Sequence, residues 1–460
     1  MDEGRKAAKL AKTQADRYVE ELIEIATIPS ISTLPEHAAD IRLAAGWVCD
    51  RLRAIGFENV EVLPTEKHPV AYGEWLHAPS HATVLIYGHY DVQPVDPIDL
   101  WHSNPFEPSV QGDYLYGRGV SDMKGQLLAI LKALELLRRT GELTVNVKVL
   151  VEGEEEIGSP SLQAFCLRER DRLSCDLILN TDGAMLGRDL PTLVYGLRGL
   201  AYFDVKLTGP DHDLHSGMFG GSVHNPAQVL CELVAGMHDT EGRVTLPGFY
   251  DKVQPLSTED RAEIALGPCS DKEWRGLTGV PELFGEQGYT TLERVGARPT
   301  LEVNGLTSGY SGEGQKTVLP AKATAKISMR LVPDQDPKSV GEQLRSYFRE
   351  HTPPTVRLEL KTLAENPPVR IRRHAPGMSA AAQSLRETFG NEPVYTLEGG
   401  SIPAVSILGG TLGVDSVLMG FSLPDDNIHS LNERFYLPNL ARGVEAYIRF
   451  FNHLATLGVV

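Results

Sequence analysis

Thr83-Val84-Leu85-Ile86-Tyr87-Gly88-His89-Tyr90-Asp91 is the stretch on which the fold turns. A short apolar run without alternation, closed by a glycine, suits a strand buried on both faces. His89 and Asp91 follow at its carboxyl end, and in extended chain residues two apart share a face. An imidazole there can ligate a metal while the carboxylate fixes its other nitrogen. Alone, such a His reads better as an exposed strand-end residue, so its surroundings matter. Upstream, Ile41 to Ile55 is helix-like. Downstream, Leu127 to Leu137 is a long helical apolar stretch closed by Arg138-Arg139-Thr140-Gly141, cations followed by glycine. Val145 to Val151 and Asp176 to Asn180 read as two more strands. This rhythm predicts an α/β fold, a mostly parallel sheet sandwiched by helices. Functional residues of such sheets gather in loops at the carboxyl ends of strands.

The rhythm changes near Tyr195. Gly199 to Leu207 alternates like a strand of a new sheet, and Pro226 to Met237 is helix-like. A loop-rich acidic stretch runs from about Thr240 to Arg298 and carries no functional reading. Ala321 to Leu331 and Thr355 to Leu363 are further strands, and proline and basic residues cluster from Pro367 to Pro376. These shifts predict a smaller α+β domain, residues 196–372, inserted into a discontinuous larger one, residues 1–195 and 373–460.

The chain has 460 residues, with 44 Lys+Arg against 61 Asp+Glu and a formal charge of −17. That balance argues against nucleic acid or an anionic membrane as partner, since phosphate binding needs clustered cations. Most of the acid excess reads as solubilising surface. The five cysteines, Cys49, Cys166, Cys175, Cys231 and Cys269, are odd in number and form no CxxC. That pattern is neither a disulfide framework nor a thiolate zinc site, and it predicts buried reduced thiols in a cytoplasmic protein. The charged start, Met1 to Lys6, leads into a Glu-rich amphipathic stretch without the apolar core of a leader peptide. No run approaches the roughly 18 apolar residues of a membrane span.

Four more motifs carry candidate chemistry. Gly117-Arg118-Gly119-Val120-Ser121-Asp122-Met123-Lys124-Gly125 places Asp122 at or just before a helix start, where an ordinary capping role competes with a ligand role. It is no dinucleotide loop, because Asp122 stands where the third glycine belongs. Glu152-Gly153-Glu154-Glu155-Glu156-Ile157-Gly158-Ser159 sets adjacent carboxylates directly after a buried strand. Their repulsion there calls for a cation, and a neighbouring Glu could then hold a proton. Asn180-Thr181-Asp182-Gly183 and Asn427-Ile428-His429-Ser430-Leu431-Asn432-Glu433 are weak alone and read as turns. Together the set offers one His, one Asp, one Glu, one Asp and one His from strand ends and loops of one domain. No HExxH occurs. Imidazole and carboxylate ligands without thiolate suit zinc first, with manganese or cobalt as alternatives. Five ligands exceed the needs of one catalytic zinc and fit two metals bridged by a carboxylate.

With these motifs and Asp213-Leu214-His215-Ser216-Gly217 and Glu398-Gly399-Gly400-Ser401-Ile402-Pro403, the chain resembles a di-metal peptidase family. That family holds cytosolic non-specific dipeptidase, carnosinase, acetylornithine deacetylase and succinyl-diaminopimelate desuccinylase. The last two motifs and Gln93-Pro94 resemble the dipeptidase branch more than the deacylase branch. The resemblance implies that Asp122 bridges two divalent metal ions. His89 and Asp182 would complete one site, and Glu156 and His429 the other. Asp91 would orient His89, and Glu155 would be the general base toward a metal-bridging water that attacks the scissile carbonyl. His215 would reach across a homodimer into the partner active site and stabilise the oxyanion, making the inserted domain both lid and dimerisation surface. Arg330 would bind the substrate carboxylate, with Thr317 and Ser401 as hydrogen-bonding neighbours. The implied substrate is a small peptide, and the alternative is an N-acyl-amino-acid deacylase with the same metals. A non-catalytic interaction protein would have no need of Glu155 and all five ligands. Ser401 is no nucleophile elbow, because Pro403 stands where that motif needs glycine.

Overall fold

The structure, a computed structural model, describes residues 6–78, 82–267 and 269–456. The opening residues 1–5 and the closing residues 457–460, read above as part of the larger domain, lie outside the described residues. In chain order the principal strands are β1 (Glu58–Leu63), β2 (Val70–Trp75), β3 (Thr83–His89), β4 (Asn146–Glu152), β5 (Leu177–Asn180), β6 (Gly199–Thr208), β7 (Thr300–Ser308), β8 (Lys322–Leu331), β9 (Arg357–Asn366) and β10 (Ser416–Leu418). The principal helices are α1 (Ala15–Ala26), α2 (Ala38–Ile55), α3 (Gly125–Thr140), α4 (Pro226–Ala235), α5 (Pro337–His351), α6 (Pro376–Phe389) and α7 (Leu437–Thr456). The chain forms two compact units. One comprises Met1–Tyr195, Ile371–Tyr395 and Pro403–Val460, the other Gly196–Arg370 and Thr396–Ile402.

In the first unit a six-stranded sheet runs in the order β1-β2-β4-β3-β5-β10. The pairs β4/β3, β3/β5 and β5/β10 are parallel; β1 and β2 form an antiparallel edge. β3, β4 and β5 are buried along nearly their whole length, which suits their mostly apolar sequences; Lys148, inside β4, donates to the backbone oxygen of Ser174 at 2.7 Å. Their register sets the site. His89 pairs with Glu152, and Tyr87 with Asn180, so three strands end along one edge of the sheet. The loops that follow carry Asp91, Glu155 with Glu156, and Asp182. α3 packs against α7 and is stopped by Gly141, whose φ of 73° is free only to glycine, with Arg138 and Arg139 in its last turn.

The second unit is an antiparallel sheet in the order β7-β8-β6-β9. Alternate residues of β6 point inward: Ala201, Phe203, Val205 and Leu207 are buried. They pack with Ile327 and Met329 of β8 against Leu233 of α4 and Leu344 and Phe348 of α5. Asn225 and Asp336 cap these helices, each ahead of a proline at the first helical position. The acidic stretch after Thr240 is less irregular than its sequence predicts. It contains three short helices, Thr258–Ile264, Asp271–Thr278 and Thr291–Gly296, each opened by a capping box. Asp260, Glu273 and Glu293 are spent on those boxes. All five cysteines are free, but only Cys49 and Cys166 are buried; Cys231 is exposed. The expectation of uniformly buried thiols therefore fails, because Cys231 lies on the outward face of α4. No described helix is long and apolar enough to cross a membrane.

Candidate dinuclear metal centre

His89 closes β3 and is fully buried. Its Nε2 lies 3.1 Å from Asp122 Oδ1 and 3.9 Å from Asp182 Oδ2. Its Nδ1 is 3.1 Å from the backbone oxygen of Asp91 and 3.4 Å from Asp91 Oδ1. Asp91 therefore fixes the ring and leaves Nε2 turned toward the other carboxylates. Across the site, His429 Nε2 lies 2.9 Å from Asp122 Oδ2 and 3.0 Å from Glu156 Oε2. Asp122 thus offers one oxygen to each imidazole. Ligand atoms of His89, Asp122 and Asp182 fall within 4.8 Å of one another, and so do those of Asp122, Glu156 and His429.

The backbone around these candidate ligands is held by buried acids. Asp91 accepts hydrogen bonds from the backbone N–H of Glu155 (3.3 Å) and Glu156 (3.1 Å), so one carboxylate ties His89 to the Glu155–Glu156 turn. Asp122 is not a helix cap. It has extended backbone angles within an irregular turn, Val120–Lys124, and α3 starts at Gly125. The capping alternative fails because the carboxylate is committed to two imidazoles. Glu433 holds this turn: it accepts from the N–H groups of Gly119 (2.9 Å), Ser121 (3.0 Å) and Asp122 (3.1 Å) and pairs with Arg118 at 2.8 Å. Arg118 also donates to the backbone oxygen of Ser430 at 3.1 Å, next to His429. Gln93 donates to Glu156 Oε2 at 2.8 Å. Glu154 is buried and accepts from Thr65 and from the N–H groups of His68 and Ser161. Sequence reasoning assigned no role to Glu433, Gln93 or Glu154. Glu433 and Gln93 lay inside quoted motifs, which was the available signal.

The electrostatics fit a cationic guest. Hydrogen bonds to Asp122 and Glu156 push His429 up to about 10. Burial opposes charge on His89, yet Asp122 and Asp91 raise it well above its ordinary value. Burial and the charge of Asp122 push Asp182 up to about 7. Burial, with Asp182 and Glu156 nearby, holds Glu155 well above the usual carboxylate range. Burial works in the same direction on Asp122, but the two imidazoles outweigh it and keep this carboxylate ionised. A cluster that captures protons this strongly is short of positive charge. Two triads of imidazole and carboxylate donors sharing one aspartate are the right chemistry for two divalent cations.

The remaining candidates belong to the second unit. Arg330 Nη1 donates to Ser401 Oγ at 2.9 Å, and Ser401 Oγ donates to the backbone oxygen of Arg198 at 2.6 Å. His215 is exposed, pairs with Val318 in a short ladder, and accepts the Gly217 N–H at Nδ1. Thr317 is its neighbour across that ladder, its backbone oxygen accepting from Ser216 at 3.0 Å. The described hydrogen bonds join Arg330 to Ser401 and do not join either to Thr317.

A sequence profile of peptidase family M20/M25/M40 matches residues 85–453. The chain belongs to this family. Among its curated M20 relatives, a Cys-Gly metallodipeptidase of Candida albicans is 31% identical over 95% of this chain and 94% of its own length. The human Beta-Ala-His dipeptidase is 30% identical over 96% and 91%. Of solved structures, an M20 metallo-carboxypeptidase from Sulfolobus solfataricus superposes with a TM-score of 0.86 at 32% identity, covering 95% of this chain and 99% of that one. Human carnosine dipeptidase 1 gives 0.82 at 29%, covering 98% and 99%. The M20 chain is thus a metallopeptidase of the dipeptidase type with a mixed α/β fold, and a deacylase is not favoured.

Proposed function

We propose that the chain hydrolyses dipeptides at two divalent cations, zinc first and manganese or cobalt next, held by His89, Asp122 and Asp182 and by Asp122, Glu156 and His429. The sharing of Asp122 between two triads carries this reading. When bound, such cations polarise a scissile carbonyl and lower the pKa of water. Glu155 is the general base: kept proton-avid by burial and by Asp182 and Glu156, it takes the proton of the attacking water and delivers it to the departing amine. Asp91 acts by positioning, through His89 Nδ1 and the Glu155–Glu156 backbone. Arg330, steadied by Ser401, clamps the substrate's C-terminal carboxylate, and Thr317 adds a hydrogen bond. The second unit, residues 196–372 in the sequence reading, serves as lid and dimerisation surface. His215, exposed and with Nδ1 occupied by Gly217, offers Nε2 to the oxyanion in the partner subunit of a homodimer. Five free thiols support a cytoplasmic setting.

The relatives' names direct the substrate panel: Cys-Gly and Beta-Ala-His dipeptides, against N-acetyl and N-succinyl amino acids. The carboxypeptidase neighbour favours a second reading, release of the last residue from longer peptides, so tri- and tetrapeptides belong in the panel. Turnover confined to dipeptides, lost with a chelator and restored by zinc or manganese, is the expected result. Turnover of acylated amino acids alone would end the dipeptidase reading. Glu155→Gln should keep its metal content and lose kcat by about 10²–10⁴-fold. Full activity in that variant would remove Glu155 as base.

A further inference from the structure

The second unit encloses a half-open cavity of about 640 Å³, within the size range of small-molecule sites. Arg330, the proposed carboxylate clamp, lines it together with Arg198. Neither guanidinium has a carboxylate within 4.0 Å among the described ion pairs. Arg198 is only 9% exposed, and its donors go to the backbone oxygens of Gly399 (3.0 Å) and Arg298 (3.3 Å). Carbonyl partners satisfy hydrogen bonds but neutralise no charge. Of the other arginines of the wall, Arg298 makes a two-pronged pair with Glu286, both contacts 2.8 Å, while Arg294, like Arg198, donates to backbone oxygens, those of Glu286 (2.9 Å) and Phe284 (3.4 Å). Glu302 also lines the cavity and its charge favours the Arg198 cation, but it is exposed and forms no described ion pair with either arginine. Four arginines thus face Glu286 and Glu302 in this wall, and Arg198 and Arg330 stand side by side without a carboxylate partner among the described ion pairs, in a chain of net charge −17. Burial first, and then the neighbouring Arg330, pull the Arg198 guanidinium down to about 10, with Glu302 acting in the opposite direction. Two anionic groups would offset the excess of positive charge in the wall.

We propose that this cavity receives the side chain of the substrate's C-terminal residue and favours an acidic one. The α-carboxylate on Arg330 and a side-chain carboxylate directed toward Arg198 would then match the two cations. Val234 and Val244 supply apolar wall for the methylenes between them. The inference rests on the reading of Arg330 as the carboxylate clamp. It also assigns a use to the 240–298 stretch, which supplies much of the wall.

The test compares kcat/KM of the metal-loaded enzyme on Ala-Glu, Ala-Gln, Ala-Lys, Ala-Gly and alanyl-glycinamide. Ala-Glu should exceed Ala-Gln by about tenfold or more, chiefly through KM, with Ala-Lys poorer still. A Glu/Gln ratio near one, or a preference for Gln or Lys, overturns the proposal. Alanyl-glycinamide separates the two claims. If the amide is cleaved as well as Ala-Gly, the Arg330 clamp itself fails. If the acid is preferred but Glu is not, only the subsite fails. Arg198→Met should bring the Glu/Gln ratio to about one, and Arg198→Lys should retain part of it. An unchanged ratio in Arg198→Met overturns the role of Arg198. Should that variant not fold, Arg198→Lys and the wild-type ratio still decide.

Discussion

Glu433 shows what a single buried carboxylate can do for a site it does not enter. It satisfies three backbone donors in the turn that carries Asp122 and neutralises Arg118, which in turn reaches Ser430 beside His429. Glu433→Gln leaves Arg118 buried without an anion, a change that costs about 3–5 kcal/mol. Metal affinity should also fall by about 10–100-fold, because supporting partners of ligands tune binding on that scale. Urea unfolding and chelator competition measure the two effects, and unchanged affinity would detach Glu433 from the metal centre. Glu152 behaves differently. It is buried, accepts from Tyr87 (2.5 Å) and Ser159 (2.9 Å), and burial pushes it up to about 8 from an ordinary 4.5. Between those values the folded chain holds a proton that the unfolded chain has released. The stability this group contributes is complete below pH 4.5 and is lost as pH rises through about 8. Glu152→Gln, neutral throughout, should flatten that slope. In metal-free protein the melting temperature of the variant should fall less from pH 5 to pH 8 than that of wild type. Parallel curves would show that Glu152 does not carry the proton.

Elements matter through how closely they approach. β5 and β10 run parallel, and the turns after them bring Gly183, next to Asp182, against Gly420. A Cβ on Gly420 would stand 2.1 Å from the backbone oxygen of Gly183. Gly420→Ala must therefore push the Asp182 turn aside, costing about 1–3 kcal/mol of stability and lowering metal affinity with it. Gly410 is the control. It lies in the helix Pro403–Leu412, with nothing within 4 Å of its Cβ position. Gly410→Ala should be stabilising by about 0.5–1 kcal/mol. Equal unfolding midpoints for the two variants would mean that the close approach carries no energetic weight. The carboxyl ends of β3, β4 and β5 were legible in the sequence, since buried apolar runs followed by His, Glu and Asp are local patterns. The place of Asp122 just before a helix was legible too, but the irregular turn that carries it was not, because that turn is held by Glu433, 311 residues away.

The whole-molecule prediction concerns the proposed homodimer. If His215 serves the partner's site, subunits carrying His215→Ala and subunits carrying Glu155→Gln should each be inactive alone. Co-expressed, they form mixed dimers in which one site has both an intact Glu155 and an intact His215 from its partner. A random mixture should recover roughly a quarter of wild-type activity per site, as two-fold exchange requires. No recovery in a verified mixed dimer would place His215 outside the partner's chemistry. At the same scale the −17 charge gains a local meaning. Its carboxylates at strand ends are the part that two divalent ions would offset, while acids such as Asp260 and Glu273 cap helices.

The alternation of strands and helices, the strand ends, the candidate ligand types and the family were legible in the chain alone. These follow from short-range periodicity and from residue chemistry, which need no knowledge of distant contacts. Long-range contacts set the rest. The pairing of His89 with Glu152 in register, the double hold of Asp91 on His89 and on the Glu155–Glu156 turn, the support of Asp122 by Glu433 and the link from Arg330 through Ser401 to Arg198 join distant segments. Strand register and side-chain packing fix such contacts, and neither leaves a local pattern in the chain.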